Sequence, residues 1–255
     1  MIQIKKLTAG YQDLPIFKDL NLSFDKGEFV SILGPNGSGK STLLKLIVGY
    51  LKPTSGEISV NNRLLKEWES KELAKIITLI PQESFIQYNF TVEEIITMGR
   101  FPFVSFWHNY SSKDLDIVNK VMADLDLVRL KDKFINQLSG GEKQRTFIAR
   151  AIAQDTDFIL LDETFSHLDI NHQIEILNIM KSLHKNYGKS IIMISHNMNL
   201  ASNYADRIVI LKDGSILADG SPHKVFTPEI LERTFDIKLG VVNNPITNKP
   251  NIIYP

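Results

Sequence analysis

The chain has 255 residues, which is enough for one large domain or two small ones with a substantial buried core. Its 29 basic and 29 acidic residues cancel, so bulk charge does not indicate nucleic acid binding, and the absence of cysteine excludes disulfides and thiolate metal sites. The first residues lack the apolar block of a secretory signal, and no apolar run approaches the roughly 18 residues that span a bilayer. We therefore expect any membrane role to come through a partner.

The predicted strands are of two types. Residues 2–7 and 20–24 alternate apolar and polar side chains, which is typical of half-exposed antiparallel strands. Three short apolar runs lead into loops and then helical patterns, as fully buried parallel strands with crossover helices do. These runs are Phe29–Leu33, Phe158–Leu161 and Ser190–Ile194. The sequence "KDGS" at 212–215 predicts a hairpin, so we expect an α/β core with an added antiparallel sheet.

The middle third of the chain is predicted to be helical. The sequence "TVEE" at 91–94 fits a capping box that opens a helix. A second helix has apolar residues on one face, namely Leu115, Val118, Met122 and Leu125. An amphipathic helix is predicted over 171–183, with Gly188 as its stop. The C-terminal tail is rich in proline and asparagine, and we expect an irregular strap or an extended strand there.

A phosphate-binding loop is predicted at 34–41, where "GPNGSGKS" follows a buried strand and precedes a helical pattern. Its glycines let backbone amides turn inward around phosphates, and the positive end of the next helix adds to the attraction. Lys40 is expected to bind the outer phosphates, and the Ser41 hydroxyl can ligate magnesium. The alternative is a chance glycine-rich turn.

Two acidic residues, Asp162 and Glu163, end the predicted strand "FILL". We expect Asp162 to hold magnesium through its water shell and Glu163 to polarise the attacking water as a general base. Alone, such a pair could simply begin a helix; together with the phosphate loop it indicates nucleotide hydrolysis.

A second anion-binding helix start is predicted at 138–145, where "LSGGEKQR" places Ser-Gly-Gly directly before a helical stretch. One phosphate loop needs only one such cradle, so the second implies that another copy of the chain presents it to the nucleotide. A simple helix N-cap with a flexible entry is the alternative.

With these motifs, the chain resembles the ATP-binding cassette ATPases over about residues 2–235. The shared motifs occur in the family's order: "GPNGSGKST", "PQ" at 81–82, "LSGGEKQR", "LLDE", "SHLD" at 166–169 and "SH" at 195–196. The resemblance implies a P-loop NTPase core with a mainly parallel sheet, an antiparallel β subdomain and an inserted α-helical subdomain. It assigns 1–84 and 156–235 to the core, 85–155 to the helical subdomain with the signature motif, and 236–255 to a tail.

The resemblance also implies roles for single residues. ATP would be held by Tyr11, stacked on adenine, and by Gly34, Pro35, Asn36, Gly37, Ser38, Gly39, Lys40, Ser41 and Thr42. Catalysis would involve Glu163, Gln82 and His196, and Mg²⁺ would be held by Ser41, Gln82 and Asp162. Ser139, Gly140 and Gly141 would bind the γ-phosphate held by the opposite subunit, and Asp169 would lie at the dimer interface. Taken singly, Tyr11 could be a surface aromatic, Gln82 a loop residue and His196 a neighbour of a helix N-cap.

The chain departs from the family at two positions. Thr164, followed by Phe165, stands where proline usually follows the catalytic glutamate, and the loss of proline's fixed φ is expected to loosen that turn. Asn197 stands where aspartate is common after the histidine, which removes one charge near the site. Both catalytic acids remain, so we still expect hydrolysis.

An aromatic segment, defined here as 99–110 ("GRFPFVSFWHNY"), has neither strand alternation nor helical spacing. Its aromatic residues are Phe101, Phe103, Phe106, Trp107 and Tyr110. In the family this part of the chain forms a groove that receives a short helix from a membrane-embedded subunit. We expect a docking surface for a permease, with a small core beneath a long loop as the alternative for any single ring.

Three further stretches resemble importer ATPases for iron–siderophore complexes, haem and cobalamin: "MGRFPF", "LDINHQ" and "VFTPEILERTFDI". The resemblance implies an ATPase subunit that dimerises on binding ATP and works at the cytoplasmic face of the membrane. Its partners would be permease subunits and, indirectly, a periplasmic or surface substrate-binding protein, with no nucleic acid. The alternatives are a soluble scaffold ATPase, as in iron–sulfur cluster assembly, and a DNA-repair or translation ATPase, which the single cassette and the absence of heptads disfavour.

Overall fold

The computed structural model describes residues 1–11, 14–82, 88–104, 109–164 and 169–254. The strands are β1 Ile2–Tyr11, β2 Leu14–Phe24, β3 Phe29–Leu33, β4 Ser55–Val60, β5 Arg63–Leu64, β6 Ile77–Ile80, β7 Phe158–Leu161, β8 Ser190–Ile194, β9 Arg207–Lys212, β10 Ser215–Gly220, β11 Gly240–Asn243 and β12 Pro250–Ile253. The α-helices are α1 Lys40–Ile47, α2 Ser70–Leu73, α3 Val92–Met98, α4 Ser112–Asp124, α5 Gly140–Ala153, α6 Ile170–Tyr187, α7 Met198–Tyr204, α8 Pro222–Val225 and α9 Pro228–Phe235. Short 3₁₀ turns lie at Leu65–Glu67, Phe101–Phe103, Val128–Leu130 and Ile135–Gln137.

The larger sheet has the strand order β10-β9-β3-β8-β7-β6. Its strands from β9 to β6 run parallel, and β10 returns antiparallel to β9. Strands β3, β7 and β8 are buried along their whole length, which explains their mainly apolar sequences and confirms the predicted bounds. The predicted hairpin at 212–215 is also confirmed: Asp213 and Gly214 have φ values of 49° and 71°, as a tight hairpin turn requires.

The second sheet is antiparallel, in the order β2-β1-β4-β5. Its apolar side chains and those of α1 form one hydrophobic cluster with one face of the larger sheet. Helices α6, α7 and α9 cover the other face with a second cluster. Strand β2 begins at Leu14, six residues before the predicted 20–24, because several register shifts in its pairing with β1 break the alternation.

A third hydrophobic cluster joins α3, α4 and α5. The predicted capping box is confirmed: the Glu94 amide donates to Thr91 Oγ1 at 3.2 Å, and the Thr91 amide donates to Glu94 Oε2 at 2.8 Å. On α4, Val118 and Met122 are buried as expected, whereas Leu115 is 45% exposed. Leu115 lies in the first turn of α4, and the buried face begins one turn later.

The predicted helix over 171–183 is observed as α6 and ends at Gly188, whose φ of 64° stops it.

The C-terminal end forms a hairpin rather than a single strap or strand. Strands β11 and β12 pair antiparallel and pack on α7, where Asn199 bonds to both backbone groups of Ile252 and the Ser202 hydroxyl donates to the Pro250 carbonyl at 2.6 Å. Among the described residues, none of the helices combines the length and apolar character needed to cross a bilayer.

Candidate nucleotide-binding and catalytic site

Four of the predicted motifs meet at one edge of the larger sheet. The phosphate loop follows β3, the acid pair follows β7, Ser195 follows β8 and Pro81 follows β6. Because these strands run parallel, their carboxyl ends lie on the same side, where α/β proteins place their ligand sites. The topology therefore brings residues as far apart in the sequence as Gly34 and Ser195 to the same edge.

The phosphate loop needs glycine at two positions for steric reasons. Gly34 has a φ of 147°, and a Cβ there would lie 2.0 Å from the Leu211 carbonyl oxygen. Gly39 has a φ of 97°, and a Cβ there would lie 2.6 Å from the Phe17 ring of β2. Gly39 is also the N-cap of α1, so the loop delivers the chain to a helix N-terminus that attracts anions.

Lys40 and Ser38 are buried polar side chains inside the loop. The Lys40 ammonium donates to the carbonyls of Gly34 at 3.0 Å and Pro35 at 2.9 Å. Burial lowers the pKa of Lys40, and the nearby Glu163 and Asp162 oppose that effect. The Ser38 hydroxyl is buried and has no hydrogen-bond partner among the residues that the structure describes. A cationic donor and an unmatched hydroxyl beside a helix N-terminus fit a bound polyphosphate.

Ser41 and Asp162 join the loop to the end of β7. The Ser41 hydroxyl donates to Asp162 Oδ1 at 2.7 Å. Burial raises the pKa of Asp162, the Ser41 hydrogen bond lowers it, and neighbouring Glu163 raises it further, so the net change is upward. A hydroxyl and a carboxylate oxygen at this spacing are the hard oxygen donors that Mg²⁺ prefers, so this pair fits a magnesium site.

Glu163 and His196 contact each other directly. His196 Nε2 lies 2.7 Å from Glu163 Oε1, and the side chains are 44% and 16% exposed. Both residues line a cavity of about 290 Å³, together with Gln173, Ser195 and Asn197. Asn197 caps α7 by accepting a hydrogen bond from the Leu200 amide at 3.0 Å, so its departure from aspartate keeps a helix-capping oxygen. The resemblance predicts that both Glu163 and His196 lie near the nucleotide, but not that they pair with each other.

Tyr11 and Gln82 are both exposed to solvent. Tyr11 ends β1 and is 46% exposed, beside the β2 strand whose Phe17 abuts Gly39. Gln82 is exposed two residues after β6. The structure thus keeps both side chains accessible, as a contact with a ligand requires.

The signature residues begin α5, where Ser139 forms a capping box with Glu142. The helix N-cap that the sequence offered as the simpler alternative is therefore present. Gly140 and Gly141 in addition contribute backbone amides in the first turn that have no partners within the helix. Asp169 caps α6, and its carboxylate also contacts His172 Nδ1 at 2.8 Å. A Cβ on Gly141 would lie 3.5 Å from the His172 ring, so His172 joins the two segments. The sequence motifs do not indicate a role for His172, although it lies three residues after Asp169 in "LDINHQ".

The described part of the aromatic segment lies between α3 and α4, in the helical region formed by α3, α4 and α5. Phe101 is 66% exposed and Phe103 is 40% exposed, whereas Pro102 between them is buried. The Arg100 guanidinium stacks on the Phe103 ring at 4.0 Å and forms a buried ion pair with Asp114 at 2.8 Å. Phe106 and Trp107, which carry the rest of that prediction, lie outside the described residues.

A profile described as "ABC transporter" matches residues 17–166, more than half of the chain. The chain belongs to the ABC transporter family. It is 35% identical to the petrobactin import ATP-binding protein FpuD of Bacillus anthracis, over 98% of this chain and 91% of the relative. It is 36% identical to the hemin import ATP-binding protein HmuV of Escherichia coli O157:H7, over 99% of each. The chain is accordingly an ATP-binding ATPase of the ABC type, as the motifs predicted.

Solved structures confirm the expected fold. The chain superimposes on a transporter described as metal-chelate type, in an inward-facing conformation, with a TM-score of 0.85, 27% identity and coverage of 99% of this chain and 96% of the other. It also matches the bacterial ABC transporter cassette MJ0796, solved as a dimer, with a TM-score of 0.75, 32% identity and coverage of 87% and 98%.

Proposed function

We propose that this protein hydrolyses ATP to energise the uptake of an iron chelate, haem or a cobalamin-type substrate through a membrane permease. The observation that carries the proposal is the convergence of the phosphate loop, Asp162, Glu163 and His196 at one strand edge. The names of the import relatives support this substrate class, and they favour an importer over the scaffold alternative.

Nucleotide binding is assigned to the phosphate loop and Tyr11. Backbone amides of 34–42 receive the phosphates, and the Lys40 ammonium exchanges its two carbonyl partners for phosphate oxygens. Those carbonyls keep the cation inside the loop until an anion replaces them. Tyr11, which is exposed at the end of β1, would stack on the adenine ring.

Magnesium is assigned to the Ser41 hydroxyl and the Asp162 carboxylate, with Gln82 as an additional contact. When bound, the ion supplies positive charge that offsets the negative charge developing on the phosphates. The hydrogen bond between Ser41 and Asp162 holds both oxygens at the loop before the ion arrives.

Hydrolysis is assigned to Glu163 as the general base. Its carboxylate takes a proton from water while the water oxygen forms a bond to the γ-phosphorus. The bond between that phosphorus and the bridging oxygen breaks, and ADP and inorganic phosphate leave. His196, in contact with Glu163, donates to the γ-phosphate, and Gln82 positions the water.

A second copy of the chain is required to complete the site. Ser139, Gly140 and Gly141 lie at the start of α5 and would bind the γ-phosphate held by the partner, with Asp169 at the interface. The dimeric cassette MJ0796 supports this arrangement. We propose that ATP binding closes the dimer and that hydrolysis reopens it.

Docking of the permease is assigned to the helical subdomain, residues 85–155. This subdomain is inserted between the core segments 1–84 and 156–235, and residues 236–255 form the tail. The exposed Phe101 and Phe103 support docking there. We place the protein at the cytoplasmic face of the membrane, with a periplasmic or surface substrate-binding protein as an indirect partner and no nucleic acid partner.

The importer assignment is tested by deleting the gene for this chain and measuring uptake of labelled ferric siderophore, haem and cobalamin. We expect loss of uptake for one substrate class, restored by the wild-type gene but not by Glu163→Gln. Co-purification from detergent-solubilised membranes should recover a multi-span permease. Unimpaired uptake of all three substrates, with recovery of soluble iron–sulfur assembly proteins instead, would support the scaffold alternative.

A further inference from the structure

The backbone at Glu163 is held in an unfavourable conformation. Its φ of 47° lies in the left-handed region, which costs a non-glycine residue on the order of 1 kcal/mol or more. Such a conformation persists only when the surrounding contacts enforce it. In most of the family a proline at the next position would restrict this turn, but here that position is Thr164.

The Thr164 side chain supplies a contact that proline lacks. Thr164 is only 4% exposed, and its hydroxyl donates to the Ile80 carbonyl at 3.2 Å. The Asp162 amide donates to the same carbonyl at 2.9 Å. The residues on both sides of Glu163 are therefore tied to one oxygen at the end of β6, immediately before Pro81 and Gln82.

A third contact fixes the turn from the other side. The Gln144 amide group, on helix α5 behind the signature residues, donates to the Thr164 carbonyl at 3.0 Å. The turn is thus held by β6 through the Thr164 hydroxyl and by α5 through its carbonyl. Both anchors lead to segments that contact nucleotide in the proposed mechanism.

We propose that Thr164 is a positioning residue for hydrolysis. By bridging to Ile80, its hydroxyl keeps Glu163 in the left-handed conformation and so directs the carboxylate toward the attacking water. It replaces the restriction of φ by proline with a hydrogen bond. The inference rests on the proposed role of Glu163 as the general base.

The test compares Thr164→Val, which keeps the shape but removes the hydroxyl, with Thr164→Ser, which keeps the hydroxyl. Thr156→Val is a matched control, because Thr156 is buried like Thr164 and its hydroxyl also donates to a backbone carbonyl, that of Phe158, at 2.9 Å. Thr156 lies just before strand β7, whereas Thr164 follows that strand. ATPase kcat and KM and the melting temperature are measured for each purified protein. Thr164→Ala replaces Thr164→Val if the latter does not fold.

We expect Thr164→Val to lower kcat about 10-fold with little change in KM, since displacing a catalytic group by 1 Å costs up to ~10²-fold. Thr164→Ser should restore most of the rate, and Thr156→Val should lower the melting temperature without lowering kcat. Adding Thr164→Val to Glu163→Gln should cause no further loss of rate, because the positioned group is already absent.

If Glu163→Gln is inactive, a folded Thr164→Val or Thr164→Ala protein with wild-type kcat would overturn the positioning role. An active Glu163→Gln protein would instead refute the general-base assignment itself.

Discussion

At the strand edge, Lys40, Ser41 and Glu163 all contact groups of the same chain, whereas on the helical region Phe101 and Phe103 leave much of their rings exposed. At the strand edge Lys40 and Asp162 are buried and the polar contacts are short, which is typical of a preorganised catalytic site. The helical region combines exposed aromatic rings with a buried ion pair between Arg100 and Asp114. The phosphate loop and both catalytic acids are thus held by contacts within one chain, whereas the exposed rings are available for contacts with another molecule.

The largest effect is expected at the strand edge, from Glu163→Gln. Removing a general base typically costs about 10²–10⁴-fold in rate, while ATP affinity should persist because Lys40 and the loop amides are unchanged. Steady-state ATPase assays and nucleotide titration measure the two quantities separately. Near-normal turnover in the pure variant would show that another group activates the water.

A smaller effect is expected on the helical region, from Phe101→Ala and Phe103→Ala. Truncating a buried interface aromatic typically costs about 2 kcal/mol of binding energy, so permease recovery from detergent-solubilised membranes should fall. Basal ATPase of the isolated subunit should stay near normal, because neither ring contacts the strand-edge site. Tyr187→Ala is the control, since Tyr187 is a similarly exposed aromatic, at the end of α6. Full permease recovery and transport with both phenylalanine variants would refute the docking role.

In the wild-type protein, a third effect appears only in acid and concerns the buried ion pair of Arg100 and Asp114. Burial alone would raise the pKa of Asp114, but hydrogen bonds from Ser111 and Arg100 outweigh it, and the pKa lies below the ordinary 3.8. A depressed carboxylate pKa gives stability that is present above the unfolded value and is lost as pH falls through the folded value. Unfolding free energy should therefore show no loss from this group above pH 5, and a loss below 3.8.

Asp114→Asn separates this pair from other acid effects. At neutral pH we expect it to be less stable than wild type by about 3 kcal/mol, because it leaves Arg100 buried without its charged partner. The difference should begin to shrink below pH 3.8 and be smallest below the depressed pKa of Asp114, where the folded protein also carries a protonated carboxyl. Thermal unfolding at several pH values measures it, and a gap independent of pH would contradict the assignment.

The sequence predicted the catalytic edge better than the surroundings of that edge. Strands β3, β7 and β8 were predicted to the residue because each is a short, mainly apolar run that ends at a small or acidic residue, namely Gly34, Asp162 and Ser195. The contact of His196 with Glu163 and the bond from Thr164 to Ile80 join distant segments, so no local pattern indicates them. The hairpin of β11 and β12 was missed for the same reason, since Asn199 and Ser202 anchor it from about 50 positions earlier in the chain.

In the proposed mechanism, each chain carries half of a site that ATP completes with a second copy. The most direct measurement is light scattering of Glu163→Gln with and without MgATP, with Lys40→Ala as a variant that lacks a phosphate contact. We predict a dimer of Glu163→Gln only with MgATP, and a monomer for Lys40→Ala at the same nucleotide concentration. A Glu163→Gln dimer of equal stability without nucleotide would contradict the account.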